Sequence, residues 1–352
     1  DLTQEENHFK SGERYNKYYK EGKLIREGGF IFIEERGIFP NGSWKTYYEN
    51  GKILSQINYV NGKKNGLIKQ FYENGELQFE GSYIDGKRNG LIRWHYQNGE
   101  MKVGNWIDNP KNPEEWHYDG LWNFYYKNNR LKMTGKYINN RENGFWKYYY
   151  ENGKLKKESN WINGKENSIK FYYENGQLYE EGDLTDGKRD GFWKTYHENG
   201  QLYEEGNYIK GEKDGYFKFY HDNGQVQTQG NFIKNKIDDG IYKHYYKNGK
   251  LQLEQNLIDG VNNGTYKYYR ENGNLYYEGV MLDTIPIGTW KYYHENGELS
   301  IEGNWINGEQ NGVWVEYHKN GTKWKKGYFN MGVKEEETCW DNEGNEIECK
   351  EQ

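Results

Sequence analysis

The 352-residue chain contains no alanine and only two cysteines. Hydrophobic residues make up 34% of it and the mean hydropathy is -1.27, too apolar-poor for the two or more conventional cores that a globular chain of this length would carry. No apolar run approaches the length needed to cross a bilayer. Lys+Arg number 48 against Asp+Glu 54, evenly spread with no basic stripe, which argues against a nucleic-acid partner. Gly-x-Ser-x-Gly, a phosphate loop, paired Cys-x-x-Cys and any Cys-His pairing are missing as well. The expectation is a protein that is not an enzyme and carries no cofactor. Missing alanine beside abundant Lys, Asn, Ile and Tyr looks like AT-rich coding, a hint about origin only. The chain opens at Asp1 rather than methionine, the expectation being a cleaved leader or a trimmed end.

What is present is aromatic. Rings make up 18% of the chain, with 36 Tyr and 13 Trp, so burial must come mainly from them, and together with a strong periodicity they exclude disorder. Residues 191–215 read GFWKTYHENGQLYEEGNYIKGEKDG, and this stretch returns along the chain. Asn199-Gly200 between two strand-like runs suits a two-residue type I′ hairpin turn. Positions equidistant from such a turn are cross-strand neighbours, so Tyr196 should face Tyr203, His197 should face Leu202, Lys194 Glu205, and Trp193 Gly206. Lysine and glutamate recur as opposed partners at Lys147/Glu158, Lys243/Glu254, Lys267/Glu278 and Lys291/Glu302. An aromatic residue recurs opposite glycine at Trp122/Gly135, Phe217/Gly230, Tyr266/Gly279, Trp290/Gly303 and Trp314/Gly327, as expected if each ring covers bare strand backbone. Alternation then predicts a greasier packed face with Trp193, Thr195, His197 and Leu202, and a solvated face with Lys194, Tyr196, Glu198 and Glu205. A Gly-Lys loop of about five residues, 211–215, should join one hairpin to the next.

The fold class predicted is all-β: an elongated, solenoid-like twisted meander of about 14 hairpins of about 24 residues, each touching only its neighbours. Residues 1–17 read as a polar, frayed lead-in, and 18–350 as a single continuous array. The apolar run Phe30-Ile31-Phe32-Ile33 reads as part of an irregular connection that caps the open end. The unit around Met101 to Trp106 is one residue short, which suggests a bulge or slip. An insertion over 108–116 holds two prolines, Pro110 and Pro113, which cannot donate to a ladder, so a protruding loop or kink is expected. A last hairpin, 337–350, ends the array. Its two cysteines, Cys339 and Cys349, are equidistant from Gly344; with a three-residue loop over 343–345 they would face each other as a disulfide, pointing to an oxidising, exported location. The alternative is a pair of free thiols in a cytosolic end.

Four histidines share one position of the unit, His197, His221, His294 and His318. Successive copies would stand on the order of 10 Å apart, too far to share one metal, so an aromatic ladder and no metal site is expected. Glutamates read as solvated rungs paired with lysine rather than as catalytic carboxylates. The candidate binding face is the tyrosine row of the Lys/Glu side, Tyr149, Tyr172, Tyr196, Tyr220, Tyr245, Tyr269, Tyr293 and Tyr317, since amphipathic rings in a solvent-accessible row suit protein or sugar contact. The plain alternative is that these rings shield backbone and flank the rungs. A second candidate, for a glycan, is the aromatic group Trp94, Trp106, Trp116 and Trp122, where the period breaks.

The pattern YYENGxLxxEGxxxxGKxxGxW, seen at 149–155 and from Tyr292 to Trp305, resembles the bacterial variant of the MORN repeat, also used in proteins catalogued as antitoxin components of toxin-antitoxin systems. The resemblance covers nearly everything from Tyr18 to Cys349. It implies a repetitive β array used for binding or scaffolding, with no catalytic residues to carry over. The expected function is therefore a monomeric, exported or cell-surface, adhesin-like protein that engages a protein partner. A carbohydrate-binding surface protein, or a cytoplasmic antitoxin or immunity protein, are the other readings.

Overall fold

The computed structural model describes residues 2–8, 13–108 and 116–349. Among them there is no helix; strands joined by tight turns account for the regular structure, and paired strands run antiparallel, as Met101–Asp108 with Trp116–Tyr125 and Gly191–Tyr196 with Leu202–Ile209. The contacts divide the chain into two compact units, Asp1–Gly176 and Gln177–Gln352. In the first, strands follow one another from Leu2–His8 to Lys165–Tyr172; in the second, from Leu178–Thr185 to Glu346–Ile347.

The cross-strand pairs fall where the sequence places them: Lys194 opposite Glu205 and Trp193 opposite Gly206, with the same pairings at Lys291/Glu302 and Trp290/Gly303. The turns do not. At Glu198-Asn199-Gly200 the loop has three residues: the His197 amide donates to the Gln201 carbonyl (2.8 Å) and the Gly200 amide to the His197 carbonyl (2.9 Å). Gly200 takes φ +85°, whereas Asn199 stays outside the left-handed region. This is a type I turn closed by a left-handed glycine. The Asn199 side chain decides for it, its Oδ1 accepting the Gln201 amide at 2.9 Å. The loop shifts register at the strand end, so Tyr196 pairs with Leu202 and Tyr203 bulges out unpaired. Glu204, not Leu202, consequently lies buried beside Trp193 and Thr195. Against the strand before it the short unit at Met101 to Trp106 carries no bulge: His95 pairs with Met101, Trp94 with Lys102 and Arg93 with Val103 without a shift, so the missing residue is the bulge its neighbours have there, while against the strand after it the register shifts between Tyr118 and Trp122, opposite Trp106 and Gly104.

True two-residue type I′ turns close the opposite ends of the strands, where loops of about five residues were expected. Lys210 and Gly211 take φ +52° and +89°, and Asn163 and Gly164 take +52° and +80°. Ile209 pairs with Glu212, and Ile162 with Lys165, directly across these turns. The glycines read as loop ends, such as Gly215 at φ +98°, are kinks within the following strand.

The rings also lean differently from expectation. A Cβ built on Gly206 would meet Phe217 at 2.4 Å, and one on Gly182 would meet Trp193 at 2.4 Å. Each aromatic side chain therefore lies over the glycine of the preceding hairpin, not the one within its own. At Trp193 and Trp290 the indole N–H then hooks the next carbonyl, Trp193 Nε1 to Asp183 at 2.9 Å and Trp290 Nε1 to Val280 at 3.2 Å. Burial of the ring thus bonds one hairpin to the next, and Trp122, Trp146, Trp193 and Phe217 are all but fully buried.

Two further expectations are corrected. The lead-in is a strand, Leu2–His8, paired residue for residue with Glu13–Lys20; its acidic, polar sequence suits an edge that must not pair further. Phe30 to Ile33 belong to an 11-residue strand, Lys23–Ile33, paired with Gly37–Tyr47. That segment has strands on both sides and is no terminal cap, because its β-branched and aromatic run pairs readily. Residues 109–115 of the expected insertion lie outside the described residues. On either side of them, strand Trp116–Tyr125 pairs with Met101–Asp108, Trp116 opposite Asp108.

Candidate interaction surface

The type I turns and the strands beside them carry two rows of connections between repeats. The turn asparagine reaches forward, Asn199 Nδ2 to the Asp222 carbonyl (2.6 Å) and Asn223 Nδ2 to that of Lys247 (2.6 Å). The residue that opens the turn does the same. His197, His221, His294 and His318 each place Nε2 2.8 to 3.3 Å from a carbonyl of the following repeat, and Tyr48, Tyr72, Tyr126, Tyr150 and Tyr246 place a hydroxyl there in other repeats. The histidines are thus stitches to the next repeat rather than an aromatic ladder, and tyrosine replaces them because its hydroxyl donates the same bond.

Within the expected tyrosine row, five of the eight hydroxyls turn to a glutamate one hairpin back: Tyr172 to Glu158 (2.8 Å), Tyr196 to Glu181 (2.9 Å), Tyr220 to Glu205 (2.6 Å), Tyr293 to Glu278 (2.8 Å) and Tyr317 to Glu302 (2.8 Å). Tyr245 accepts from Gln229 instead (2.8 Å). Tyr149 and Tyr269 are half-buried like the rest. Lysine completes the rung, Lys243 to Glu254 at 2.8 Å and Lys267 to Glu278 at 3.2 Å. Burial first, and then the neighbouring carboxylate, push the Tyr293 and Tyr317 phenols up to about 12 and those of Tyr196 and Tyr220 further still. For Glu278, burial pulls the carboxyl up, but the bonds from Tyr293 and Lys267 outweigh it and hold the group below its usual range.

The same face carries a row that sequence reasoning did not single out. One residue before seven of the buried core side chains stands an apolar side chain turned outward: Leu67 and Leu91 before the isoleucines Ile68 and Ile92, and Leu121, Phe145, Phe192, Tyr216 and Ile241 before buried rings, with exposures from 48% to 79%. Asparagine sits opposite most of them, as in Phe145/Asn160, Phe192/Asn207, Tyr216/Asn231 and Ile241/Asn256. Two residues beyond these asparagines, exposed Ile209, Ile233 and Ile258 lead into the type I′ turns. The result is an apolar ladder with polar rungs, stepping on the order of 10 Å per repeat. The signal was present in the sequence, at a spacing of one repeat, but lysine-glutamate alternation masked it.

The packed face holds the second feature that was missed, a buried charge network. Arg189 bridges to Glu180 and donates to the Tyr208 hydroxyl (3.2 Å), which donates to Glu204 (2.6 Å); Lys213 binds the other oxygen of Glu204 (2.6 Å). Arg189 lies over Trp193 and Tyr208, and Lys213 over Phe219, at 4.5 to 5.2 Å from the ring centroids. In the first unit the charges are reversed, Lys157 binding Glu166 at 2.5 Å. Opposite charges nine residues apart, across a type I′ turn, are the pattern that could have found these pairs.

Of the aromatic group proposed for a glycan, the two rings among the described residues, Trp94 and Trp122, are covered by neighbours. Trp122 is 0% exposed, with the Tyr118 ring at 4.4 Å, and Trp94 lies beneath the Lys102 ammonium at 5.4 Å from its centroid. The side chains of Trp106 and Trp116 lie outside the described residues. Cys339 and Cys349 form a disulfide, Cα atoms 5.3 Å apart. The loop that brings them together is Asn342-Glu343-Gly344, one residue earlier than expected, so Cys339 pairs in register with Ile347. Among the described residues no helix is long and apolar enough to cross a membrane.

Ten segments match the family model of the MORN repeat variant: residues 40–61, 64–85, 142–163, 165–184, 189–210, 213–234, 238–259, 262–283, 286–307 and 310–331. Each spans a type I turn and the strands on either side of it. No curated protein matches. Among solved structures the chain is similar to one described as the Photorhabdus luminescens Tc holotoxin pore, at 11% identity and a TM-score of 0.17. The alignment covers 92% of this chain but 24% of that one, so the chain spans about a quarter of that chain's length.

Proposed function

The chain belongs to the MORN repeat variant family, and from that premise we propose that it is a non-catalytic binding protein whose Lys/Glu/Tyr face engages a protein partner. The observation that carries this reading is the ladder of outward apolar side chains alternating with asparagine. Exposed apolar groups interleaved with hydrogen-bonding amides are the makings of an interface core with satisfied polar contacts. The tyrosine row flanks the ladder. Five of its hydroxyls are held by glutamates, so those rings present rigid edges at little entropic cost to a partner. The disulfide supports an exported setting, since such bonds persist in oxidising compartments.

Pull-down with the intact chain tests the face. Phe192→Ser, Tyr216→Ser and Ile241→Ser together should abolish capture of partners retained by the native chain, while Tyr196→Ala, Tyr220→Ala and Tyr245→Ala should weaken it. Capture untouched by the triple serine variant removes this face from consideration. Thiol titration of the native protein tests the compartment: two reactive thiols would contradict export.

A further inference from the structure

Two rows of the docking face run side by side through the second unit, and both alternate from strand to strand. One is the charge row Lys194, Glu205, Lys218, Gln229, Lys243 and Glu254, in which each residue is the cross-strand partner of the next. Gln229 is its one neutral member. Two residues along the same strands, and therefore on the same face, stand the ladder pairs Phe192/Asn207, Tyr216/Asn231 and Ile241/Asn256. Outside this stretch one row or the other lapses. In the first unit Val103, Asn123 and Thr134 occupy the charge row beside the outward Leu91 and Leu121, and beyond Asn256 the ladder passes to Thr265 and Thr289.

Charges that alternate at the strand spacing of about 4.8 Å are matched at every step only by a surface of the same spacing and the opposite phase. A second copy of this chain has that spacing by construction. Rotation about a two-fold axis parallel to the strands keeps each position along a strand and reverses the order of the strands, so like rows lie over like rows. With the axis midway between two neighbouring strands, every lysine strand faces a glutamate or glutamine strand. The same half-step seats each outward apolar side chain over an asparagine, in the gap between two apolar side chains of the other copy.

We propose that the occupant of this face is a second copy of the chain, docked face to face about a two-fold axis that runs between Tyr216 and Asn231. Lys194 then faces Glu254 of the second copy and Lys243 faces its Glu205, while Phe192 lies over its Asn256 and Ile241 over its Asn207. Lys218 faces Gln229 at the axis, where the charge row is neutral. The inference rests on reading this face as the docking face and names what docks there. Six strands at about 4.8 Å spacing, each about 25 Å long, present on the order of 700 Å², close to the roughly 800 Å² a side of a standard specific interface. The charges enter it as rungs rather than as isolated ions, since Lys243 already binds Glu254 at 2.8 Å.

Sedimentation equilibrium of the full chain over a range of concentrations tests the proposal, with circular dichroism melts to show that each variant folds. The native chain should be dimeric. Lys194→Glu alone sets like charges against each other at both symmetry-related contacts, as does Glu254→Lys alone, and each variant should be monomeric. Mixed in equal amounts they should form a heterodimer, because each change is then answered by the other. Lys194→Gln, which a half-exposed position tolerates, should raise the dissociation constant by about five-fold, as for two exposed charge contacts. A native chain that stays monomeric, a dimer that survives either charge reversal or is indifferent to Lys194→Gln, or a mixture of folded variants that stays monomeric would each overturn the proposal. A monomeric native chain that still captures another protein, and loses it with the triple serine variant, leaves the docking face standing and removes the second copy as its occupant. Capture insensitive to that variant, with the dimer behaving as stated, separates the two the other way.

Discussion

Two stretches of the second unit use one frame for opposite interiors. From Leu178 to Lys213 the slot two residues before the strand glycine holds Glu180 and then Glu204, closed by Arg189 and Lys213. From Leu275 to Ile306 the same slot holds Tyr277 and then Ile301, and Tyr277 is surrounded by the rings of Tyr266, Tyr268, Trp290 and Tyr292 at 5.3 to 6.2 Å. Register, turns and ring-over-glycine contacts are the same in both. The slot therefore does not specify the fold. Glycine and the ring that covers it do, and what lies two residues away is free to be an ion pair or an aromatic cluster, provided the partner nine residues on changes with it.

The largest effect should be common to both stretches. Trp193→Ala and Trp290→Ala each remove a buried indole and its bond to a backbone carbonyl, and each should cost about 4 kcal/mol in denaturant unfolding. A marked inequality would mean the stretches do not share a frame. The next effect should separate them. Glu204→Leu leaves Lys213 without its carboxylate at a site where both side chains are largely buried, at a cost of about 3 kcal/mol. Glu204→Leu with Lys213→Ile should recover most of that, and the swap Glu204→Lys with Lys213→Glu, copying Lys157 and Glu166, should fold as well. If the double variants are no better than the single one, the slot is not interchangeable. Tyr277→Glu alone, by contrast, should destabilise the aromatic stretch, since Pro286 stands where the cation would be needed.

A smaller effect concerns the turns. Asn199→Ala loses the bond to the Gln201 amide and the one to the next repeat's Asp222 carbonyl, about 1 kcal/mol each by ordinary hydrogen-bond values. Asn163→Ala instead strains a two-residue turn that requires positive φ. Thermal melts of the two variants measure each. The smallest effect is on pH dependence. Tyr293 and Tyr317 have folded-state values raised from 10.0 to about 12, so their contribution to stability is fully present below about pH 10 and is lost as pH rises toward 12. Tyr293→Phe with Tyr317→Phe should flatten the alkaline slope of stability; an unchanged slope would place the alkaline sensitivity elsewhere.

Much of this was legible before any coordinates. Opposed Lys/Glu and Trp/Gly pairs carry their register in their spacing, because a single constant sum from the turn fits five and six copies. What was misread lies at the strand ends. Asn-Gly occurs in both kinds of turn, as at Asn199-Gly200 and Asn163-Gly164, and the dipeptide alone does not say whether the asparagine will adopt positive φ or bond the amide two residues on. The bulge that follows is what moved Glu204 inward and hid the ion pairs. The direction in which each ring leans was also out of reach, since Trp193 has a glycine opposite it on both flanking strands, Gly182 and Gly206, and only packing chooses between them. Within the candidate surface, the tyrosine row was visible as a repeated residue type. The apolar ladder was not, because Leu, Phe, Tyr and Ile alternate in it and no single letter repeats.

The claim everything else leans on is that each ring covers the glycine of the preceding hairpin. A double-mutant cycle measures it directly. Trp193→Ile is combined in turn with Gly182→Ala and with Gly206→Ala, and unfolding free energies are compared. The account predicts that Trp193→Ile relieves the cost of Gly182→Ala, with a coupling of about 1 kcal/mol or more, and leaves that of Gly206→Ala unchanged within error, because Phe217 covers Gly206. Coupling to Gly206 instead of Gly182 would contradict it.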